Sequence, residues 1–164
     1  TVETKYQIGS FEVTALDQKH PDGVVVYRVS AGGYNVVFAT DVEHGGEGLD
    51  SKLVELCRGC DLLIHDAQYT EDEYYGRSGP SRKGWGHSMW KEAVDLAIDS
   101  EAKRLALFHH DPSRSDEGVD QIEVEAQAIF SGAFASLEET TFDLTNDTLI
   151  TAKGIKLPLG PPRQ

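Results

Sequence analysis

Alternation is the first signal along the chain. In SFEVTAL, residues 10–16, Phe11, Val13 and Ala15 share one face, the period of a strand. A polar turn, DQKHPDG, follows. GVVVYRVS and YNVVFATD are β-branched runs joined by Ala31-Gly32-Gly33, which predicts a hairpin. EHGGEG, residues 43–48, reads as a flexible loop, and Asp50 is placed to cap a short helix ending at Cys57. DLLIHD is a nearly continuous apolar run, as expected of a strand covered on both faces.

The second half changes rhythm. Residues 67–86, AQYTEDEYYGRSGPSRKGWG, are polar, aromatic and glycine-rich, a long loop of the kind that carries function. Ser88 is placed to cap a helix over MWKEAVDLAIDSEA. RLALFHH reads as another buried strand, and Asp116 as the cap of a helix over GVDQIEVEAQAIFSGAF. FDLTNDTLITA predicts a last strand or hairpin turning at Asn146-Asp147. Residues 1–152 are then the domain, and 153–164, ending KLPLGPPRQ, an extended tail. Strands come first and then alternate with helices. This order predicts an α/β (α+β) fold, a mixed sheet with helices on one face and polar residues gathered at strand ends.

Composition narrows the picture. The chain has 164 residues, enough for one domain with a core. No run of about 18 apolar residues is present, so no membrane span is expected. The start, TVETKYQIGS, lacks a basic region followed by an apolar core, so no signal peptide is expected there. Lys+Arg number 15 against 28 Asp+Glu, a net charge of −13, which disfavours a nucleic-acid partner at long range. The only cysteines, Cys57 and Cys60, form a CRGC at a helix end with no second pair to complete a metal site. They are expected to be buried, in a reducing, cytoplasmic compartment.

The candidate chemistry sits at strand ends. His20 follows a strand, Asp41 ends YNVVFATD, His87 precedes a helix, and His109 ends RLALFHH. Imidazole and carboxylate together suit Zn, Mn or Fe. Two such ions clamp a phosphoester and activate water between them. Spacing alone leaves the plainer alternative open, because a histidine at a strand end is often a satisfied polar group.

The local strings add to this. FATDVEH, LLIHDAQY, GWGHSMWKEAV and LALFHHDP, in that order, resemble the later motifs of the metallo-β-lactamase superfamily. The likeness is to its phosphodiesterase branch, which includes tRNA 3′-processing endonucleases, and it covers roughly residues 8–116. The resemblance implies half of an αββα sandwich. It also implies that His20, Asp41 and His109 are metal ligands, with Asp41 bridging two ions in the complete domain. His87 is then the non-ligand histidine that protonates the leaving oxygen, and Asp66 the carboxylate that orients it. A neighbouring carboxylate favours imidazolium and fixes the ring, so this pair makes chemical sense by itself. Strand alternation turns His65 and His110 away from such a site, and His44 reads as a solvated loop residue.

One departure matters. The family's leading His-x-His-x-Asp-His motif, which supplies most of its metal ligands, is absent from these residues. A longer parent protein is the expected reason; a separate chain or loss of the motif are the alternatives. Without the other half of the sandwich, one sheet face is expected to lie exposed or to be covered by self-association. The reading is therefore part of a metal-dependent hydrolase acting on a small phosphodiester such as a cyclic nucleotide, or on another ester or a lactone, with the isolated chain inactive. A non-catalytic binding or regulatory domain of the same fold is the alternative. Tyr69, Tyr74, Tyr75, Trp85 and Trp90 lie near His87 in sequence and would serve either as a base-stacking wall or as loop packing.

Overall fold

A computed structural model describes residues 3–45, 48–157 and 159–161. Gly46 and Glu47 of the expected flexible loop, and parts of the expected tail, lie outside the described residues.

Seven strands pair in sequence order into one mixed sheet: β1 (Glu3–Ile8), β2 (Phe11–Gln18), β3 (Val24–Ala31), β4 (Tyr34–Ala39), β5 (Leu62–Asp66), β6 (Leu105–Phe108) and β7 (Ala133–Ala135). The first four are antiparallel. The β3–β4 turn uses Gly32 and Gly33, both at positive φ, as a two-residue hairpin requires. From β4 onward the strands are parallel, and helices make the crossovers.

Those helices are α1 (Ser51–Cys57), α2 (Glu71–Tyr74), α3 (Trp90–Asp99) and α4 (Asp116–Ile129). Helices α1, α3 and α4 cover one face of the sheet. Their Leu53, Val94, Leu96 and Ile122 pack on Leu16, Val37, Leu63, Leu105 and Leu107. Complete burial of side chains this size contributes about 1.5–3 kcal/mol each. Asp50 caps α1 as expected, accepting from Lys52 N at 2.7 Å. Cys57 and Cys60 are free and buried in this core, and burial pushes the Cys60 thiol up to about 12, so both stay protonated packing groups.

Among the described residues, the other face is covered at one end only. Strands β8 (Thr140–Asp143), β9 (Thr148–Thr151) and β10 (Lys156–Leu157) form a second, antiparallel sheet. Its Phe142 and Leu149 pack on Leu62, Ala106 and Phe134. Over β1–β4 this face is open, exposing Tyr6, Ile8, Phe11, Val25, Tyr27 and Phe38. The Phe11-Val13-Ala15 stripe belongs to this open face, while Thr14 and Leu16 face the helices.

Several expectations need correction. Strand β1 was not anticipated, because all six of its residues are exposed and give no burial pattern. The loop over 67–86 contains α2, with Thr70 and Glu73 forming its capping box. Ser88 does not cap α3: its hydroxyl donates to Val42 O at 2.5 Å, and Met89 holds the cap position. Ser115, not Asp116, caps α4. That helix stops at Ile129, short of the expected Phe134. Gly132 lies where an added Cβ would meet Lys103 O at 2.7 Å, and the chain turns into β7. Within 153–164, β10 pairs with β9, and Arg104 donates to Gly160 O.

Candidate active site

The topology explains why distant residues meet. Strand β2 runs parallel to β4, β5 and β6, so the carboxyl ends of all four lie along one edge. His20, Asp41, Asp66 and His109 occupy those four ends. His87, just before α3, hangs over the same edge. This is where parallel strands place their sites.

Asp66 is the fixed point. Its side chain is fully buried and accepts four hydrogen bonds. Oδ2 takes His87 Nδ1 at 2.8 Å and Asp41 N at 3.1 Å; Oδ1 takes Gln68 N at 3.1 Å and Ser88 N at 3.3 Å. One carboxylate therefore sets both the ring of His87 and the backbone of Asp41. The hydrogen bond to Asp66 raises the His87 pKa above its ordinary 6.5. Partial burial opposes the rise, and the charges of Asp66, Asp41 and Glu43 reinforce it.

Beside this pair, His109 Nε2 lies 3.2 Å from Asp41 Oδ1. Both residues adopt the left-handed backbone, with φ 58° at His109 and 57° at Asp41. Such backbone costs about 1–3 kcal/mol for a non-glycine residue and concentrates at functional sites. His109 also stacks on His87, with ring centroids 4.7 Å apart. His20 accepts from Asp22 N at Nδ1, which directs Nε2 toward the site, and its ring meets His87 edge-on at 5.8 Å. Gly86 lets this happen: at φ 94°, an added Cβ there would fall 2.4 Å from the His20 ring.

The residues fit a divalent ion. Ligand atoms of His20, Asp41 and His87 lie within 4.8 Å of one another, as do those of Asp66, His87 and His109. The expected trio of His20, Asp41 and His109 meets in pairs around Asp41, and His87 is common to both groups. Two ligands at bonds of about 2.0–2.1 Å to a tetrahedral ion stand about 3.3 Å apart, close to the Asp41–His109 spacing. A further sign is Gln68, a buried residue that sequence reasoning missed. Its Nε2 faces His109 Nδ1 at 3.2 Å, while its Oε1 is buried without a partner among the described residues. Were His109 to hold a metal through Nε2, its proton would stay on Nδ1, and turning the Gln68 amide over would pair that proton with Oε1.

Glu43 was also missed. Its Oε1 accepts from Tyr74 Oη and Gly84 N, both at 2.6 Å, and its Oε2 from Gly86 N at 2.8 Å. Burial works to raise this carboxyl, but those hydrogen bonds outweigh it and hold the pKa below the ordinary value. Glu43 thus fastens the loop that presents His87. Its neighbour His44 corrects an expectation. It is buried, not solvated, and its Nε2 lies 3.1 Å from His65 Nε2 with the two rings stacked. His65 faces away from the site and donates from Nδ1 to Asp66 O at 2.7 Å. His110 is also outside the cluster, its pKa lowered first by burial.

A family described as "Beta-lactamase superfamily domain" matches residues 1–110. Among curated relatives, a ribonuclease Z from Brevibacillus brevis is 31% identical over 123 residues, covering 73% of this chain and 36% of its own length. Among solved structures, the metallo-beta-lactamase fold protein YhfI from Bacillus subtilis superposes with a TM-score of 0.63 at 22% identity, over 80% of this chain and 48% of that one. Zn(2+)-bound PqqB from Methylobacterium extorquens gives 0.61 at 14% identity, over 95% and 53%. The chain spans about a third of the length of the ribonuclease Z relatives it matches. Their name concerns RNA, so a cyclic nucleotide finds no support among them.

Proposed function

Because the chain belongs to the metallo-β-lactamase superfamily of hydrolases, we propose that it carries the acid-catalyst side of a metal-dependent phosphodiesterase acting on RNA. The observation that supports this most is the pairing of buried Asp66 with partly exposed His87 at 2.8 Å, set beside the Asp41–His109 pair on one sheet edge. This replaces the expectation that nucleic acid is disfavoured. Net charge is a property of the whole surface, whereas residues 74–91 carry Arg77, Arg82, Lys83 and Lys91 and no Asp or Glu.

In this reading, His20, Asp41 and His109 hold metal, and the ligands of the missing His-x-His-x-Asp-His motif come from outside these residues. The metal, when bound, polarises the phosphoryl group and lowers the pKa of water. The chain's own residues do the rest. Asp66 accepts a hydrogen bond from the Nδ1–H of His87, which keeps that proton on the ring, and the imidazolium presents its second proton at Nε2. As the P–O bond breaks, that proton passes to the leaving oxygen, and neutral His87 is recharged from solvent. Gln68 fixes His109, and Glu43 fixes the loop below His87. In this reading residues 1–152 are the catalytic unit and 153–164 its tail. A second reading makes His87 a ligand, favoured by its presence in both metal-compatible groups.

The test uses the full-length protein, stripped by chelation and reloaded with Zn, Mn or Fe. Cleavage of an RNA with a single-stranded 3′ extension should vanish on stripping and return on reloading. A loaded protein that leaves RNA intact while hydrolysing cyclic nucleotides would overturn the RNA reading.

A further inference from the structure

The structure sorts the five aromatic residues around His87. Tyr69 and Tyr74 are buried and pack the loop with Met89, and Trp90 is buried in the main core. Tyr75 is turned edge-on to Tyr74 with Arg77 over its ring. Trp85 is different: it is 52% exposed, two residues from His87.

An exposed tryptophan on a mobile loop would mean little, but Trp85 is held. Glu43 bonds the amides on both sides of it, Gly84 and Gly86, and Trp85 N donates to Arg82 O at 3.1 Å. The indole is thus displayed on a fixed turn, its ordering cost already met by folding. The guanidinium of Arg82 lies 4.7 Å over the indole and 5.6 Å over the Tyr69 ring. Tyr69 in turn stands edge-on to His87 at 6.1 Å. A stack of cation and rings therefore leads from solvent to the proposed acid. Arg77 and Lys91 spend their charge on Glu71 and Asp72, whereas Arg82 is held against aromatic faces. The segment as a whole is the basic part of an acidic chain.

An aromatic face beside a cation is the combination that holds an unpaired base and its phosphate. We propose that Trp85 and Arg82 form the subsite for the nucleotide adjoining the scissile phosphodiester, the base stacking on the indole and the phosphate meeting Arg82 and Lys83. This rests on the phosphodiesterase reading of the same edge and adds to it the requirement for an unpaired base next to the cut.

The test compares a single-stranded RNA with the same strand made abasic beside the scissile phosphate, in the full-length, metal-loaded protein. Wild type should favour the base-bearing strand in kcat/KM. Trp85→Ala should shrink that preference about ten- to hundred-fold, mainly through KM, and Trp85→Phe should restore most of it. Arg82→Ala should raise KM for both strands, with Arg82→Lys recovering part. Equal losses on both strands in Trp85→Ala, or no preference in wild type, would overturn the subsite. Wild type cleaving neither strand would instead break the phosphodiesterase reading. Binding would then still decide the subsite. Base-bearing RNA should quench tryptophan fluorescence more than abasic RNA in wild type, and that difference should disappear in Trp85→Phe, since Trp90 is buried; an undiminished difference in Trp85→Phe overturns it.

Discussion

His65 and Asp66 are neighbours on one strand, and each pairs with a histidine from a distant loop. On the site side, Asp66 holds His87; on the core side, His65 holds His44. The outcomes are opposite. His87 is pushed up because its partner is a carboxylate and solvent reaches it. His44 is pushed down to about 3, first by burial, then by the charges His65 and Lys19 would oppose to it. His65 is likewise lowered by burial. The same side chain is favoured in its charged form in one place, as the proposed acid requires, and is a neutral structural link in the other. Strand alternation decides which, by sending adjacent residues to opposite faces.

The comparison is broken most severely at Asp66. In Asp66→Asn the carboxylate charge is lost, His87 should become neutral near pH 7, and turnover should fall about 10²–10⁴-fold. A pH–rate profile checks this, because the limb assigned to His87 should move to lower pH. Gln68→Met should weaken metal binding about 10–100-fold by leaving the His109 ring unheld, whereas Gln68→Glu, an acceptor, should keep it. Competition with a chelating dye measures both. A loss common to both variants would assign Gln68 to packing instead.

The core pair is sharpened by stability. His44→Ala leaves His65 Nε2 unpaired and should cost about 1–3 kcal/mol in urea unfolding at pH 7. The pH dependence has a definite sign. His44 has a folded pKa below its unfolded value near 6.5, so its contribution is full above that value. It is lost as pH falls toward about 3. The slope from this group is at most about 1.4 kcal/mol per pH unit. His87 runs the other way: its contribution is full below about 6.5 and lost as pH rises through its raised folded value. Unfolding curves at pH 5, 6 and 7 in wild type and His44→Ala separate the two.

Much of this was legible in residue order. The β-branched runs, the Gly32-Gly33 turn and the continuous apolar run of β5 marked the sheet, and the strand-end motifs marked the five residues that now share one edge. What stayed hidden depended on partners far away in sequence. Glu43 looks like one acid in a glycine loop, yet its ligands are 31 to 43 residues away. Gln68 gains meaning only from His109, 41 residues on. His44 was misread because its burial is conferred by His65. Ser88 offered a hydroxyl to its helix, but the Val42 carbonyl claimed it. The end of α4 was obscured by the unbroken apolar look of AIFSGAF, which the close approach of Gly132 to Lys103 interrupts.

The most direct test is metal content and turnover, measured on the same samples of full-length wild type, His87→Ala and His109→Ala. The account predicts that His109→Ala loses metal and activity together, while His87→Ala keeps its metal and loses turnover. Metal lost from His87→Ala as fully as from His109→Ala would contradict it and make His87 a ligand, not the acid.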